Sequence, residues 1–562
     1  MPFEDEGHWQ EYRPNTASDY RVPHVSGSYG TPGSSRMTGA PNPTEAGRFG
    51  SAAAEHAPLG ALAACLFALC GLHAWHGHWI GDFWEHSAVV RELATHPIGP
   101  RHPLLRIDAP HAFANPYALI VATFCRLAGV SSVTGLAAAA LVNLAMLIVA
   151  LRVFVGRVAP ERAGTTSFFT LLFMLFLWGR KPWDFSGFYH ISAVIHTLAY
   201  PSAFAFWVAL LLLAIQAKRV ERGGLRRLLV AVPLGSVVLL SHPITFLFVA
   251  TGMAALALNS RRPLLEAAIS SMSVLVSGLL ALAWPYFPLW ALLTGGAAAY
   301  DASNVVMYSR VLVRTFPASI GLPLLVAEWR RTSRKSAVVW VGLLIAIYAF
   351  GHLTGRYSYG RVIFFIVFLL QLEIAKSVAR LRADIDAHGF LLRARIPEAS
   401  VVIVCVLLSA PALIGALRDT VRYERTDAGY HFLNHEVPQY DVMMAEAQTG
   451  WIASSFGGKL VASPQPLAFV SDFEQRERRS AVTAFFRATT PSTERLRLLG
   501  KYGASYVLVA RSSSVDPTAA PESVLRALGT VTYEDGRFVL VRAAPSPSAT
   551  DASSAPRSTA NP

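Results

Sequence analysis

Apolar runs of about the length of a membrane-spanning helix recur along most of this chain. An α-helix needs roughly 20 apolar residues to cross the hydrocarbon core of a bilayer. After a first run that begins at Pro58, further runs lie at about 133–156, 165–179, 190–216, 265–293, 311–328, 337–353, 361–379 and 400–417. Only 15% of the 562 residues are charged, against roughly 25% in ordinary soluble proteins. We therefore predict an α-helical polytopic membrane protein.

The apolar stretch from Leu228 to Leu258 is longer than one span needs. Its middle contains Ser241-His242-Pro243, and a proline at that point breaks a continuous helix. We expect two short helices that meet at this turn, which gives about 11 spans in total. An odd number of spans places the two ends of the chain on opposite sides of the membrane.

The excess of basic residues, 49 − 36 = +13, indicates the orientation. Lysine and arginine concentrate in cytoplasmic loops, so this excess does not by itself indicate a nucleic-acid partner. With the N-terminus in the cytoplasm, every strongly basic connection falls on the cytoplasmic side, provided that Pro116 to Val130 forms a surface or re-entrant helix. These basic connections contain Arg157 and Arg162, residues 218–227, Arg261 and Arg262, residues 329–335, and residues 376–395.

Composition divides the chain into four parts. Residues 1–55 and 546–562 are rich in Gly, Pro, Ser and Thr, and we expect both to be disordered. Residues 56–417 form the membrane domain, with a long outer loop at 78–132. Residues 418–545 form a small α/β domain on the outer side. The four cysteines lie in apolar stretches, which is typical of small buried side chains rather than of a disulfide framework or a metal site.

Local signals inside the outer domain predict its elements. The segment ASYVLVA is typical of a strand, and in the helix that precedes it we expect Thr490 as the N-cap and Pro491 at the first position. Near the end of the chain, Asp535-Gly536 favours a hairpin with a two-residue type I′ turn.

Polar residues close to the membrane carry the candidate chemistry, because burying them is expensive. Directly after the first span, Asp82 and Glu85 are three residues apart and would share one face of a helix that begins at Asp82. Such a carboxylate could act as a general base or bind a divalent cation together with its neighbour. The alternative is that Asp82 only caps a surface helix.

Further candidates lie in the same outer loop and in the later outer connections. The full set of candidate binding residues is His86, Arg101, His102, Asp108, Lys181, Tyr189, His242, Arg356, Tyr357 and Arg361, with Asp184 as a further acidic candidate. Arginine on the outer side opposes the positive-inside bias, and its planar donors suit a phosphate or diphosphate group. Lipid snorkelling, an interfacial aromatic belt and a histidine satisfied by a broken helix are the structural alternatives.

The order of these parts resembles the GT-C superfamily of polytopic glycosyltransferases. The matching pieces are the acidic motif Asp82-Phe83-Trp84-Glu85-His86, the segment PYALIVATFCRLAGVSS, the outer loop with Asp184, the SHP turn, the GRYSYGR loop and the terminal LRLLGKYGASYVLVA. The resemblance covers about residues 57–545, with motifs that are specific as a set and degenerate one by one.

The resemblance implies an inverting transfer of a sugar from a polyprenyl phosphate or diphosphate to a lipid, glycan or protein acceptor. It implies a GT-C-like fold and a site on the periplasmic or extracellular face of a bacterial inner membrane. Asp82 would be the base, Glu85 and Asp184 would support it, and Arg356 or Arg361 would hold the lipid phosphate. Members differ in metal dependence, so Mg²⁺ or Mn²⁺ at Asp82 and Glu85 stays open, as does a role for Asp108.

Two other classes of function compete with this interpretation. A transporter or lipid flippase needs charges near the middle of the bilayer and an internal repeat. The chain has no clear repeat and few such charges, Glu373 being one of them. A non-catalytic assembly protein would use its outer domain to bind a partner. An enzyme requires Asp82, Asp184 and Arg356 to converge on one cavity, whereas wide separation favours the assembly protein.

Overall fold

A computed structural model describes residues 43–217, 224–296, 298–332, 335–387, 391–421, 425–511 and 518–544. The predicted disordered tail and most of the predicted disordered N-terminal stretch lie outside these residues, as does part of the basic connection at 218–227. The first helix already begins at Pro43, inside the stretch predicted to be disordered. Its Ala52-Ala53-Ala54 segment consists of strong helix formers.

The first half of the described chain is almost entirely helical. Its helices are α1 (Pro43–His76), α2 (Phe83–Thr95), α3 (Pro116–Ala128), α4 (Ser132–Val158), α5 (Ala163–Phe176), α6 (Ile191–Thr197), α7 (Pro201–Ala217), α8 (Gly224–Ser241), α9 (Pro243–Ala257) and α10 (Pro263–Leu282). Helix α3 is short for a membrane span, as its interpretation as a surface or re-entrant helix requires. Asn115 caps its start and Gly129, in the left-handed conformation, ends it.

Short turns separate several of the remaining membrane-region helices. These helices are α11 (Leu289–Ala291), α12 (Ala298–Asn304), α13 (Val311–Ser319), α14 (Gly321–Thr332), α15 (Ser336–Thr354), α16 (Ile363–Ala387), α17 (Leu391–Leu408) and α18 (Ala410–Val421). A π-helical turn, Leu292–Gly296, follows α11, and a 3₁₀ turn, Tyr357–Val362, joins α15 to α16.

The chain is a multi-pass membrane protein. Five stretches of helix are long and apolar enough to span a bilayer, and three bent pairs of helices raise that number to as many as eight within the described residues. Many large apolar side chains on these helices are exposed, among them Leu275, Leu279 and Leu407. Exposed apolar surface on this scale suits contact with lipid. These counts do not establish the predicted 11 spans, which stay a prediction.

The predicted break at Ser241-His242-Pro243 is confirmed. Helix α8 ends at Ser241 and α9 begins at Pro243. His242 is the N-cap of α9, where its Nδ1 accepts a hydrogen bond from the backbone N–H of Thr245. The histidine therefore satisfies one of the free donors that the broken helix creates.

The C-terminal region forms one five-stranded mixed sheet with short helices. Its elements are α19 (Leu433–Glu436), β1 (Val442–Ala445), α20 (Ala447–Ala453), β2 (Lys459–Leu460), α21 (Asp472–Phe486), α22 (Ser492–Tyr502), β3 (Ala504–Ala510), α23 (Glu522–Arg526), β4 (Gly529–Glu534) and β5 (Phe538–Ala543). The strand order is β2-β1-β3-β5-β4. Strands β2, β1 and β3 are parallel, while β5 is antiparallel to both β3 and β4.

Two local predictions in this region need correction. Pro491, not Thr490, is the N-cap of α22, because the Thr490 hydroxyl donates to the Ala484 carbonyl instead. The β4–β5 connection is not a two-residue type I′ turn. Glu534 pairs with Val539, and Gly536 does not have the positive φ that such a turn requires. The Asp535 carboxylate accepts hydrogen bonds from two backbone N–H groups, which stabilises a longer loop.

The sheet region packs on the long outer loop. The backbone N–H of Leu460 donates to the Leu104 carbonyl at 2.6 Å. The Lys459 ammonium forms an ion pair with Glu92 on α2 at 2.8 Å, and both side chains are buried. Trp451 Nε1 donates to the Gly81 carbonyl at 2.7 Å. The outer domain therefore contacts the backbone directly before Asp82.

Candidate active site

Asp82 lies at the start of α2 with a carboxylate that forms no hydrogen bond within the described residues. It occupies the N-cap position, but its backbone is already helical and its side chain does not cap the helix. The alternative role as a simple capping residue therefore does not account for it. The side chain is half-buried, so it is reachable while most of its surroundings are protein.

The backbone around Asp82 is held from two directions. Gly81 has φ of +61°, a conformation that favours glycine. Trp451 from the outer domain donates to the Gly81 carbonyl, and Tyr200 donates to the Ile80 carbonyl at 3.0 Å. These contacts position the Asp82 carboxylate through its main chain, independently of any side-chain hydrogen bond.

Glu85 follows Asp82 by about one helical turn, and it is 1% exposed. Its Oε1 lies 3.1 Å from Nε2 of the equally buried His111. Nδ1 of His111 accepts a hydrogen bond from the backbone N–H of Phe113, so the neutral ring carries its proton on Nε2, facing Glu85. The His86 ring stacks on Phe113 with ring centroids 4.5 Å apart.

Burial controls the ionisation of these groups. It raises the pKa of Glu85 well above its ordinary value, and the neighbouring Asp82 charge raises it further. Burial lowers the pKa of His111 and of His86 to about 3 each. Both histidines are therefore neutral at pH 7, and burial favours the neutral form of Glu85. Burial also raises the pKa of Asp82 above its ordinary value, and the positive charge of Arg361 offsets part of that rise.

Arg361 extends from the 3₁₀ turn before α16 into the same region. Its Nε donates to Oδ1 of Asn304 at 2.8 Å, and its Nη1 donates to the Ser186 hydroxyl at 3.3 Å. The guanidinium also lies over the Phe185 ring, 5.5 Å from its centroid. Outer connections far apart in sequence therefore meet at Arg361.

His242 lies at the edge of this arrangement, beside the loop that contains Ser186. A β-carbon at Gly187 would be 3.9 Å from Cε1 of His242. The histidine ring also contacts the Thr245 hydroxyl through Nδ1 at 2.7 Å. The SHP break therefore brings a polar side chain next to the 185–187 loop, which holds Arg361.

Other candidate residues have surroundings of their own. Asp184 is exposed, and its Oδ1 is 3.6 Å from Nε2 of His190. Arg356 and Lys181 are exposed as well. Tyr189 is buried among aromatic rings, with its hydroxyl 3.4 Å from the Ser202 carbonyl. Tyr357 packs edge-on against Tyr308 at 5.8 Å.

Three further candidates surround a separate cavity of about 580 Å³. Arg101, His102 and Asp108 contribute to its wall, together with Tyr440 and other residues of the outer domain. The Arg101 guanidinium stacks over the Tyr440 ring at 4.2 Å. Within the described residues, no hydrogen bond or ion pair joins Asp82 to Asp184 or Arg356, and the convergence of these three residues stays a prediction.

Sequence reasoning missed several residues of the site. Asn304 and Ser186 bind Arg361, and Tyr200 supports the backbone before Asp82. None of them belongs to a recognisable motif, because each acts through a contact with a distant part of the chain. The predicted outer position of Arg361 indicated that this side chain has a specific role, but it did not identify Asn304 or Ser186 as its partners.

A divalent cation at Asp82 and Glu85 is not supported by the local donor set. No group of three or more His, Cys, Asp or Glu side chains in the described part of the chain is arranged to hold a metal ion. Glu85 is buried beside His111. A divalent cation at Asp82 and Glu85 therefore stays a prediction.

The fold and this region define a multi-pass membrane protein with a reachable acid, an arginine held by hydrogen bonds and a C-terminal α/β region. No protein-family model matches the sequence, and no curated protein matches it. The structure is similar to solved structures of the oligosaccharyltransferase of Archaeoglobus fulgidus.

The similarity extends over most of the chain, but the sequence identity and the TM-score are low. The archaeal structure in complex with Zn and sulfate has a TM-score of 0.42 and 12% identity, over 76% of this chain and 64% of that one. The chain thus spans less than two thirds of that protein. The apo form has a TM-score of 0.43 and 10% identity, covering 79% and 69% of the two chains. The complex of AglB with an inhibitory peptide and a dolichol-phosphate has a TM-score of 0.44 and 11% identity, with the same coverage.

Proposed function

We propose that this protein is a GT-C-type membrane glycosyltransferase that transfers a sugar from a polyprenyl phosphate or diphosphate to an acceptor. The proposal rests on a reachable Asp82 carboxylate that forms no hydrogen bond within the described residues and whose pKa is lowered by the positive charge of Arg361, against the effect of burial. The reaction takes place on the periplasmic or extracellular face of a bacterial inner membrane, with the N-terminus in the cytoplasm.

Asp82 acts as the general base. An acceptor hydroxyl must lose its proton as it attacks the anomeric carbon of the donor, and a positioned carboxylate contributes about 10²- to 10⁴-fold to such a step. Attack from the face opposite the leaving phosphate inverts the anomeric configuration. Because the carboxylate has no hydrogen-bond partner within the described residues, it is available to accept the proton.

Arg361 binds the lipid phosphate and stabilises the charge that develops as the bond to the sugar breaks. Asn304 and Ser186 hold two of its nitrogens, so the guanidinium is oriented before substrate arrives. Arginine suits this role because its planar donors match phosphate oxygens. The exposed Arg356 is assigned to the entry of the lipid head group instead.

Glu85 supports Asp82 without sharing its role. Its neutral form avoids a second negative charge beside the base, which would otherwise raise the pKa of Asp82 further. Asp184 lies in the same loop as Ser186, and we assign it to contact with substrate from the exposed side. A metal ion has no defined part in this proposal.

The transporter alternative has one specific observation against it. Glu373, the candidate intramembrane charge, is paired with Lys376 one turn along α16 at 2.8 Å. An ion pair within one helix is a structural arrangement that needs no transported ligand. The assembly-protein alternative leaves the buried ionisable residues around Asp82 without a role.

Mass spectrometry of lipids that co-purify with the protein tests the proposal. The wild type should retain a polyprenyl phosphate or diphosphate that carries a sugar. Its recovery should fall in Arg361→Ala and stay unchanged in Arg476→Ala, a matched change at an exposed arginine of α21. Equal recovery from both variants, or the absence of any such lipid from the wild type, would contradict the proposal.

A further inference from the structure

The cavity between the long outer loop and the outer domain has the size of a ligand site. Its volume is about 580 Å³, within the roughly 300–1,000 Å³ of small-molecule sites. Residues 99–109 form one wall, and Tyr440, Asp441 and Lys459 form the other. The cavity does not contain Asp82 or Arg361.

Positive and negative side chains are balanced around this cavity. Lys459 is neutralised by Glu92 through the buried ion pair at 2.8 Å. The remaining cations of the wall, Arg101 and Arg106, are matched by two carboxylates, Asp108 and Asp441. An anion such as phosphate only accepts hydrogen bonds and would face both carboxylates, so the lining does not favour it.

A polyhydroxylated ligand satisfies both kinds of group. Each hydroxyl can donate to a carboxylate and accept from a guanidinium at the same time. The aliphatic side chains of Pro100, Leu105 and Ile107 add apolar wall against which the C–H faces of a sugar ring can pack. The Tyr440 ring and the stacked Arg101 complete a wall of mixed character.

His102 stabilises the loop that forms this wall of the cavity. Its Nδ1 accepts hydrogen bonds from the backbone N–H groups of Leu104 and Leu105, at 3.2 and 2.9 Å. The neutral ring therefore carries its proton on Nε2.

The cavity is connected to the proposed base by a short series of contacts. The His102 ring lies 5.1 Å from the His111 ring, and His111 lies 3.1 Å from Glu85. Glu85 in turn adjoins Asp82. A molecule bound in the cavity would therefore lie on the far side of Glu85 and His111 from Asp82.

We propose that this cavity binds an oligosaccharide, and that this oligosaccharide belongs to the acceptor. The second clause rests on the proposed function, whereas the first does not. Arg106 and Asp108 are the ligand-binding residues best suited to a test. Both are exposed, and neither forms a side-chain hydrogen bond within the described residues, so truncating them leaves the fold intact.

An array of immobilised neutral and acidic oligosaccharides, two to four sugars long, probes the binding directly with purified full-length protein. The wild type should bind neutral oligosaccharides. Arg106→Ala and Asp108→Ala should each weaken binding by about tenfold or more, the loss expected for one charge-assisted hydrogen bond. The matched controls Arg476→Ala and Asp472→Ala, at exposed positions of α21, should bind as the wild type does.

Other outcomes overturn the proposal. Binding that is confined to acidic oligosaccharides or to inorganic phosphate would contradict the ligand class. Equal binding by all four variants would place the oligosaccharide elsewhere. Asp82→Asn separates this proposal from the proposed function, because it should bind oligosaccharide normally and transfer no sugar. Normal binding together with no transfer by the wild type would overturn the proposed function and leave the saccharide site standing.

Discussion

Nε2 of His111 lies 3.1 Å from Oε1 of Glu85, and both side chains are buried next to Asp82. Burial and the Asp82 charge raise the pKa of Glu85 well above its ordinary value, which favours its neutral form. Burial also raises the pKa of Asp82, but the positive charge of Arg361 offsets part of that rise, so Asp82 is the better candidate for the base.

The first prediction concerns Glu85. Glu85→Gln keeps the size and neutrality of the protonated side chain, so the variant should fold and its kcat should stay within about tenfold of the wild type, well short of the loss of a general base. A direct transfer assay on the purified variant measures this. A loss as large as that of Asp82→Asn would show that Glu85 acts as a charged ligand or base.

The second prediction concerns the pH dependence of transfer. The active form of Asp82 is ionised, and Arg361 lowers the pKa of this carboxyl while burial raises it. Removing the positive charge in Arg361→Gln therefore raises the pKa of Asp82, and activity should be lost at a higher pH as the solution is acidified. The shift in the pKa of Asp82 is measured as the change in the pH at which kcat falls to half of its maximum on the acidic side. Arg361→Lys is the control, since it keeps the charge and should move the midpoint less.

The third prediction distinguishes the two outer arginines. Arg361 is held by Asn304 and Ser186, whereas Arg356 is exposed. Arg361→Ala should lower kcat/KM by about 100-fold or more, the range for a lost charge-assisted contact in a transition state. Arg356→Ala should act mainly on KM. Steady-state kinetics with the lipid donor as the varied substrate tests both, and the reverse order of effects would assign the phosphate to Arg356.

The fourth prediction concerns the attachment of the outer domain. Glu92 and Lys459 are each 2% exposed, and burial lowers the pKa of Lys459 to about 8. Glu92→Leu leaves a buried cation without its partner and should lower the free energy of unfolding by about 3–5 kcal/mol. The double variant Glu92→Leu/Lys459→Met should recover part of that loss.

Thermal unfolding and limited proteolysis of the purified protein measure this effect. Glu494→Ala is the control, because it removes a partly exposed ion pair with Arg497 and should leave stability close to that of the wild type. The result would contradict the prediction if the double variant lost as much unfolding free energy as Glu92→Leu and Lys459→Met lose together when measured separately. The two side chains would then contribute independently.

Much of the backbone could be predicted because local sequence determines it. The break at His242 follows from Pro243, which cannot continue a helix, and strand β3 was predicted with the bounds that the structure has. The prediction of a two-residue type I′ turn between β4 and β5 was wrong. The Asp535 side chain binds two backbone N–H groups there, and a dipeptide preference does not include that competition.

The site was predictable only in part. Asp82 was chosen as a candidate from its position directly after an apolar span, and Arg356 and Arg361 from their predicted place on the outer side. The sequence could not choose Arg361 over Arg356, because the choice depends on contacts with Asn304 and Ser186, which lie far away along the chain. The protonation state of Glu85 likewise depends on burial and on His111, which follow from the tertiary fold.

Transfer by Asp82→Asn tests the central claim most directly. Purified wild type and variant are given the lipid extract of the source membrane, and mass spectrometry follows the loss of lipid-linked sugar and the appearance of product. Asp82→Asn keeps the size of the side chain but removes the base, so its rate should fall by about 10²- to 10⁴-fold, while Asp472→Asn keeps the wild-type rate. Transfer by Asp82→Asn at the wild-type rate would contradict the account.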